Sequence, residues 1–315
     1  MQNNSRIMII SVFISALIVV IVLRETSLAQ PGPSYSVAYD VYPYSHLTSD
    51  DPTQEQVGLE DFFDAMQIQV TNIYLSYSYP IIRSEGRLII INELNYHRFD
   101  LDYKDWDTNA VPVEDQIPHA TGIDYNLIVM KNLNERWTLL TMFTPGIASD
   151  LEDDLVSDDF HLQVVVAFIR AHSERLQLGY GLAYSTLFGE PFPLPIIQIN
   201  WNNGAKLSVE SLLPANLDIR YMLSERAMLG FSFLLAGNQY HGAKSKYDAN
   251  NPQLNYSVGN IVPSLRLVLS EKLNLDISTG MTLFRRLEFY DGTEKVQSYN
   301  LKNSAILRMG LTYGG

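Results

Sequence analysis

The chain has 315 residues, no Cys and a formal net charge of -13. The missing Cys excludes a disulfide-stapled fold. The acidic balance argues against a nucleic-acid partner, because phosphate recognition draws on clustered Lys and Arg.

The first segment reads as an export signal covering residues 1–29. Arg6 gives a basic start, Ile7 to Leu23 is almost continuously apolar, and Ser27-Leu28-Ala29 supplies the small residues a signal peptidase needs. The cut is expected between Ala29 and Gln30. It removes Arg6, Arg24 and Glu25, so the mature charge becomes one unit more negative than the -13 of the whole chain. As an uncleaved anchor the apolar run is slightly shorter than the ~20 residues that a membrane-crossing helix needs. Later apolar runs such as Leu88 to Ile91 are shorter still, so the mature chain can enter a membrane only as strands.

Residues 30–315 read as strands in nearly every segment, with apolar side chains at every second position. Near the start, Ile68 and Val70 fall out of phase with Ile73, Leu75, Tyr77 and Tyr79, and the slip at Asn72 suggests a β-bulge. Leu88 to Ile91 is apolar on both faces, as expected beside a narrow or plugged lumen. Further on, Leu176, Leu178, Tyr180, Leu182 and Tyr184 alternate with Gln177, Gly179, Gly181, Ala183 and Ser185. Leu217, Ile219, Tyr221 and Leu223 repeat the pattern, as do Leu273, Leu275, Ile277, Met281 and Leu283. The last segment sets Leu301, Ala305, Leu307, Met309, Leu311 and Tyr313 on one face.

Short polar turns are expected at Arg83-Glu85, Asn132-Glu135, Ser173-Glu174, Asn202-Gly204, Ser224-Glu225 and Ser270-Lys272. Between them come mostly longer connections, at 43–65, 100–117, 149–159, 188–193, 238–254 and 288–298, with a tight one at Leu213-Ala215. That alternation is the asymmetry of a transmembrane barrel, with short periplasmic turns and longer external loops. The fold expected is all-β: a closed antiparallel up-and-down barrel of about 14 strands, or 12 if the first is a plug or tail. Aromatic residues near the segment ends, among them Tyr42, Phe99, Trp137, Phe160, Tyr240, Tyr256, Phe289 and Tyr299, read as interfacial girdles.

Three stretches carry a resemblance. They are Phe143-Thr-Pro-Gly-Ile-Ala-Ser-Asp150, Gly179-Tyr-Gly-Leu-Ala-Tyr-Ser-Thr-Leu-Phe-Gly189 running on to Pro193-Leu194-Pro195 and Trp201, and Gly237-Asn238-Gln239-Tyr240. With them the chain resembles the uncharacterised outer-membrane β-barrel domain families of Gram-negative envelopes. The likeness implies a fold and the cell outer membrane as location, with envelope lipid and the barrel-assembly machinery as partners, but no activity. Arg308, Gly310 and Tyr313 resemble a barrel-assembly signal, although Gly314 and Gly315 follow where such signals end in an aromatic residue.

Chemistry is sparse. There is no phosphate-binding Gly-Lys-Ser/Thr loop, no His-Glu-x-x-His helix and no Gly-x-Ser-x-Gly elbow, so an enzyme is not expected, and neither is a cofactor or a metal. His97 and His161 alternate with apolar neighbours in a way that points them into the lumen. The acidic runs at Asp100 to Asp107 and Asp150 to Asp159 read as solvated loops, with no calcium-loop spacing. The polar residues expected to line the lumen are Glu93, Asp124, Gln163, Glu210, Asp218, Arg220, Arg266, Asp276, Arg286 and Arg308. They would either pair with one another in a closed barrel or line a water-filled path. The functional expectation is a barrel of unknown substrate, a channel or a structural envelope component. The alternatives are a lipid-active barrel enzyme and a periplasmic β-sandwich with an N-terminal anchor.

Overall fold

The computed structural model describes residues 32–49, 66–83, 86–105, 117–186, 192–245 and 250–314. The expected signal peptide and its Ala29/Gln30 boundary lie outside them. In chain order the strands are β1 Ser34–Ser49, β2 Gln67–Arg83, β3 Leu88–Lys104, β4 His119–Asn132, β5 Trp137–Ser149, β6 Phe160–Ser173, β7 Leu176–Ser185 and β8 Phe192–Asn202. They continue as β9 Leu207–Leu213, β10 Asn216–Ser224, β11 Ala227–His241, β12 Pro252–Ser270, β13 Leu273–Asp291, β14 Glu294–Leu301 and β15 Ala305–Gly314.

From β1 to β13 each strand pairs antiparallel with the next, β13 pairs with both β14 and β15, and β1 closes the ring against β15 from Ser34↔Gly314 to Val41↔Leu307. Because β14 and β15 lie along the same two neighbours, β13 and β1, they are two lengths of one interrupted strand, and the wall has 14 positions. Closure leaves no sheet edge at the level of the turns, which is what lets a sheet stand in lipid. The first strand is therefore wall, not tail.

The outer face carries the apolar alternation. Tyr180 is 61% exposed, and Leu182, Ile197, Phe231 and Leu307, spread around the ring, are exposed on the same outer face. Connections at one end, the turn end, are short: Asn203 to Lys206 turns on Gly204, whose positive φ suits the hairpin. At the other end, the loop end, three of the expected loops are shorter than expected. β1 runs through to Ser49, β11 and β12 extend to His241 and back from Pro252, and β13 and β14 meet in a tight turn at Gly292 and Thr293.

The expected bulge at Asn72 is absent. β2 pairs with β3 without interruption from Gln67↔Lys104 to Arg83↔Leu88. The irregularity sits in β1, between Tyr42 and Ser45. What changes along β2 is the medium on its inner side. Ile68 and Val70 point inward and are fully buried, while Leu75, Tyr77 and Tyr79 point outward and are exposed. The barrel is apolar inside near the loop end, so the apolar face switches while the pleat continues.

That interior cluster draws on β1 to β5 and β11 to β15 and includes Leu47, Ile68, Phe99, Tyr240, Leu254 and Leu287. It redefines the expected girdle. Tyr42, Phe99, Tyr240, Tyr256, Phe289 and Tyr299 are buried within the barrel, and Phe99 stacks on Tyr240 with centroids 5.2 Å apart. Of the expected girdle, Phe160 does face outward. Leu301 also belongs to the interior, because the chain leaves the strand between Leu301 and Ala305 and re-enters with its faces exchanged. Leu88 to Ile91 lies at the turn end, away from this cluster.

Candidate functional site: the lumen and its closed mouth

Below the apolar cluster the inner wall is polar, and the strands set its groups opposite one another. Arg220 Nη1 donates to Glu210 at 2.9 Å, across the β9–β10 pair. Asp218 accepts from Ser232 Oγ at 2.5 Å and from Asn216 Nδ2 at 3.0 Å. Arg266 Nε donates to Asp276 at 2.7 Å, and Arg308 holds Asp40 through two bonds of 2.5 and 2.7 Å. Glu93 accepts from Asn95 and Asn126, at 2.7 and 2.9 Å. Gln163 stands on the inner face of β6, opposite Thr144 of β5. Charges here are matched by neighbours, as buried or half-wet charges must be.

One expected lumen residue is misplaced. Leu283 is skipped in the β12–β13 register, where Gly259 faces Phe284 and Asn260 faces Thr282. A one-residue slip turns every following side chain to the other face. Arg286 therefore points outward, with Asn300, and Arg285 points inward. Arg285 is 1% exposed. It donates to Ser45 Oγ at 2.6 Å, Ser304 Oγ at 3.1 Å and Tyr256 Oη at 3.3 Å, with its guanidinium 5.2 Å from the Tyr42 ring centroid. Sequence alternation could not find it, because the bulge carries no signature of its own.

Where polar lumen meets apolar cluster, two imidazoles share one carboxylate. His161 Nε2 is 2.6 Å from Asp124 Oδ1, and His97 Nδ1 is 3.9 Å from Oδ2. His97 Nε2 lies 3.1 Å from Tyr240 Oη and 3.3 Å from Asn238 Nδ2, which ties the wall at β3 and β4 to β11. Both rings fit because Gly122 and Gly146 lack side chains. A Cβ on Gly122 would meet the His97 ring, and one on Gly146 would meet Asp124 and His161. Both imidazoles face the interior and are enclosed, out of reach of lipid.

The mouth is closed by a non-local contact. β10 accompanies β11 only as far as Asn216↔Leu234. Beyond it β11 leans across the barrel and meets β5 in parallel at His241↔Ser149, with Asp150 N–H donating to His241 O at 3.0 Å. At that level β6 to β10 are bypassed. The acidic connection after β5 then latches the turn after β11. Asp150 Oδ2 accepts from Ala243 N–H at 3.0 Å, Asp153 accepts from the Ser245 N–H at 3.0 Å and its hydroxyl at 2.5 Å, and Asp158 accepts from Asn251 Nδ2 at 3.1 Å. These bonds from Ser245 hold the Asp153 carboxyl below its ordinary pKa. The acidic run, expected as a solvated loop, is thus also a fastening.

The family model for a domain of unknown function, DUF6268, matches residues 92–314. The chain belongs to the DUF6268 family. No curated protein matches its sequence. Among solved structures it is similar to an outer membrane channel from Pseudomonas putida F1, at 9% identity and a TM-score of 0.48, covering 92% of this chain and 100% of that one. It is similar to the P. putida toluene transporter TodX at 8% identity and 0.41, covering 91% of each chain. The Escherichia coli outer membrane phospholipase A matches at 8% and 0.36, covering 92% and 94%. The barrel assignment for this DUF6268 member rests on its own strand pairing.

Proposed function

We propose that this DUF6268 barrel sits in the outer membrane with its turn end in the periplasm and acts as a transport channel held closed at its loop end. The apolar outer face supports the membrane placement, and the wet, charged inner wall supports a path for solute. The observation that carries the closed state is the pairing of β11 with β5, which lays an apolar cluster over that wall. Planar-bilayer recordings test the reading. Wild-type protein should show rare, brief conductance steps, and a variant carrying Asp150→Ala and Asp153→Ala should stay open longer. Silence in both, with heat-modifiable gel migration proving that the barrels are folded, would leave only the structural role.

A further inference from the structure

The leaning of β11 opens a space on the other side of the wall. β9 has 7 residues and β10 has 9, whereas β11 has 15 and β12 and β13 have 19 each. A tilted strand needs ~9–11 residues to cross the hydrocarbon. β9 falls short of that and β10 only just reaches it, so the wall is lowest at the turn of Pro214 and Ala215, near the outer edge of the hydrocarbon. Above that turn, the inner face of β8 and the outer face of the leaning sheet bound a cleft of about 510 Å³.

The cleft is two-sided in chemistry. Leu194, Pro214, Leu235 and Phe284 make it apolar, and Arg286 and Asn300, with Glu288, stand at its upper side, further along their strands from the turn end. Space of this size, apolar with a few polar groups at one side, is characteristic of small-molecule sites. The same inner face of β8 continues from Leu194 to Ile196, which packs with Val165 and Ala167, and then to Gln198 and Asn200 in the polar lumen. One face of one strand thus leads from the cleft to the lumen.

We infer that this cleft binds a single-chain amphiphile from the outer leaflet, its chain against Leu194, Leu235 and Phe284 and its hydrogen-bonding head at Arg286 and Asn300. The depth of the notch selects a lipid-borne ligand, and the polar upper side selects one with a head. As a binding site the cleft stands alone; as a side entrance to the lumen it rests on the transport reading.

The test uses the full barrel in nanodiscs with two photoactivatable dodecyl probes, a carboxylate and an alcohol. Labelling should saturate and map to the peptides carrying Leu194, Leu235 and Phe284. Ala215→Trp should fill the floor and weaken half-saturation by about tenfold or more, a loss of roughly 1.4 kcal/mol. If that variant loses heat-modifiable migration, Leu235→Phe makes the same test with a smaller intrusion. Arg286→Gln should weaken the carboxylate probe more than the alcohol. Unsaturable labelling spread around the outer belt, or labelling unchanged by either filling variant, overturns the site; equal loss of both probes in Arg286→Gln overturns the head assignment. Saturable labelling with silent bilayers would sink the transport reading and leave the site, and the reverse pair of results would do the opposite.

Discussion

Phe99→Ala should destabilise the barrel far more than Phe168→Ala, although both residues are aromatic members of wall strands. Phe99 is 1% exposed, within the interior cluster, stacked on Tyr240 and tilted against Tyr256 at 5.1 Å. Truncating an enclosed Phe costs about 3–5 kcal/mol, the lost transfer energy plus the cavity left behind, and the two ring pairs, worth roughly 0.5–1.5 kcal/mol each, place Phe99 toward the upper end. Phe168 faces outward at 41% exposure, so truncation there exchanges side-chain contacts for lipid contacts and leaves no cavity. Guanidinium unfolding in short-chain phospholipid vesicles, followed by intrinsic fluorescence, gives both midpoints. A Phe99→Ala loss no larger than that of Phe168→Ala would refute the claim that the loop-end aromatics form a core.

Three further outcomes follow from the same geometry. Arg285→Ala should cost about 2–5 kcal/mol, since it leaves a cavity among buried groups and removes charge-assisted bonds to Ser45, Ser304 and Tyr256, whereas Arg286→Ala should leave the unfolding midpoint nearly unchanged. Gly122→Ala should destabilise by about 1–3 kcal/mol through overpacking against His97, and the loss should shrink in the Gly122→Ala, His97→Ala double variant, a coupling that unfolding midpoints of the four proteins measure. The latch should respond to acid with the sign set by Asp153. Its folded pKa lies below the unfolded one, so its contribution is whole above the ordinary carboxylate range and is lost as pH falls through the lowered folded value; the protection factor of the Ser245 amide, taken relative to its intrinsic exchange rate, should fall there, and in Asp153→Asn it should be low and no longer pH-dependent.

The outer face was legible because lipid imposes one rule on every strand. Leu178, Tyr180, Leu182 and Tyr184 alternate with small or polar residues, and the structure turns them outward. The turn-end hairpins were legible through their Asn, Gly and Ser chemistry. The closed mouth was not, because the β5–β11 contact joins residues far apart in sequence and is made by backbone. Its only local trace is a change of apolar face within a strand: Ile68 and Val70 against Leu75 and Tyr77, and Phe99 and Leu101 against Leu94. Read singly, such a change looks like a bulge. Its recurrence at the loop ends of neighbouring strands marks a filled interior. Arg285 and Arg286 show the converse, since a true bulge at Leu283 reverses the faces with no change in composition. For the lumen the residue types were legible, but their pairing was not, because partners such as Asp40 and Arg308 come from opposite ends of the chain.

The most direct measurement is a disulfide across the mouth. The chain has no Cys, so Ser149→Cys with His241→Cys introduces a single pair, at positions that face one another across β5 and β11. A disulfide needs Cα atoms roughly 4.4–6.8 Å apart. Mild oxidation in nanodiscs should close it nearly completely, abolish the conductance steps, and restore them on reduction. Reduced thiols that stay unpaired under oxidation, or a closed disulfide that leaves conductance unaltered, would contradict a barrel shut by β11 lying on β5.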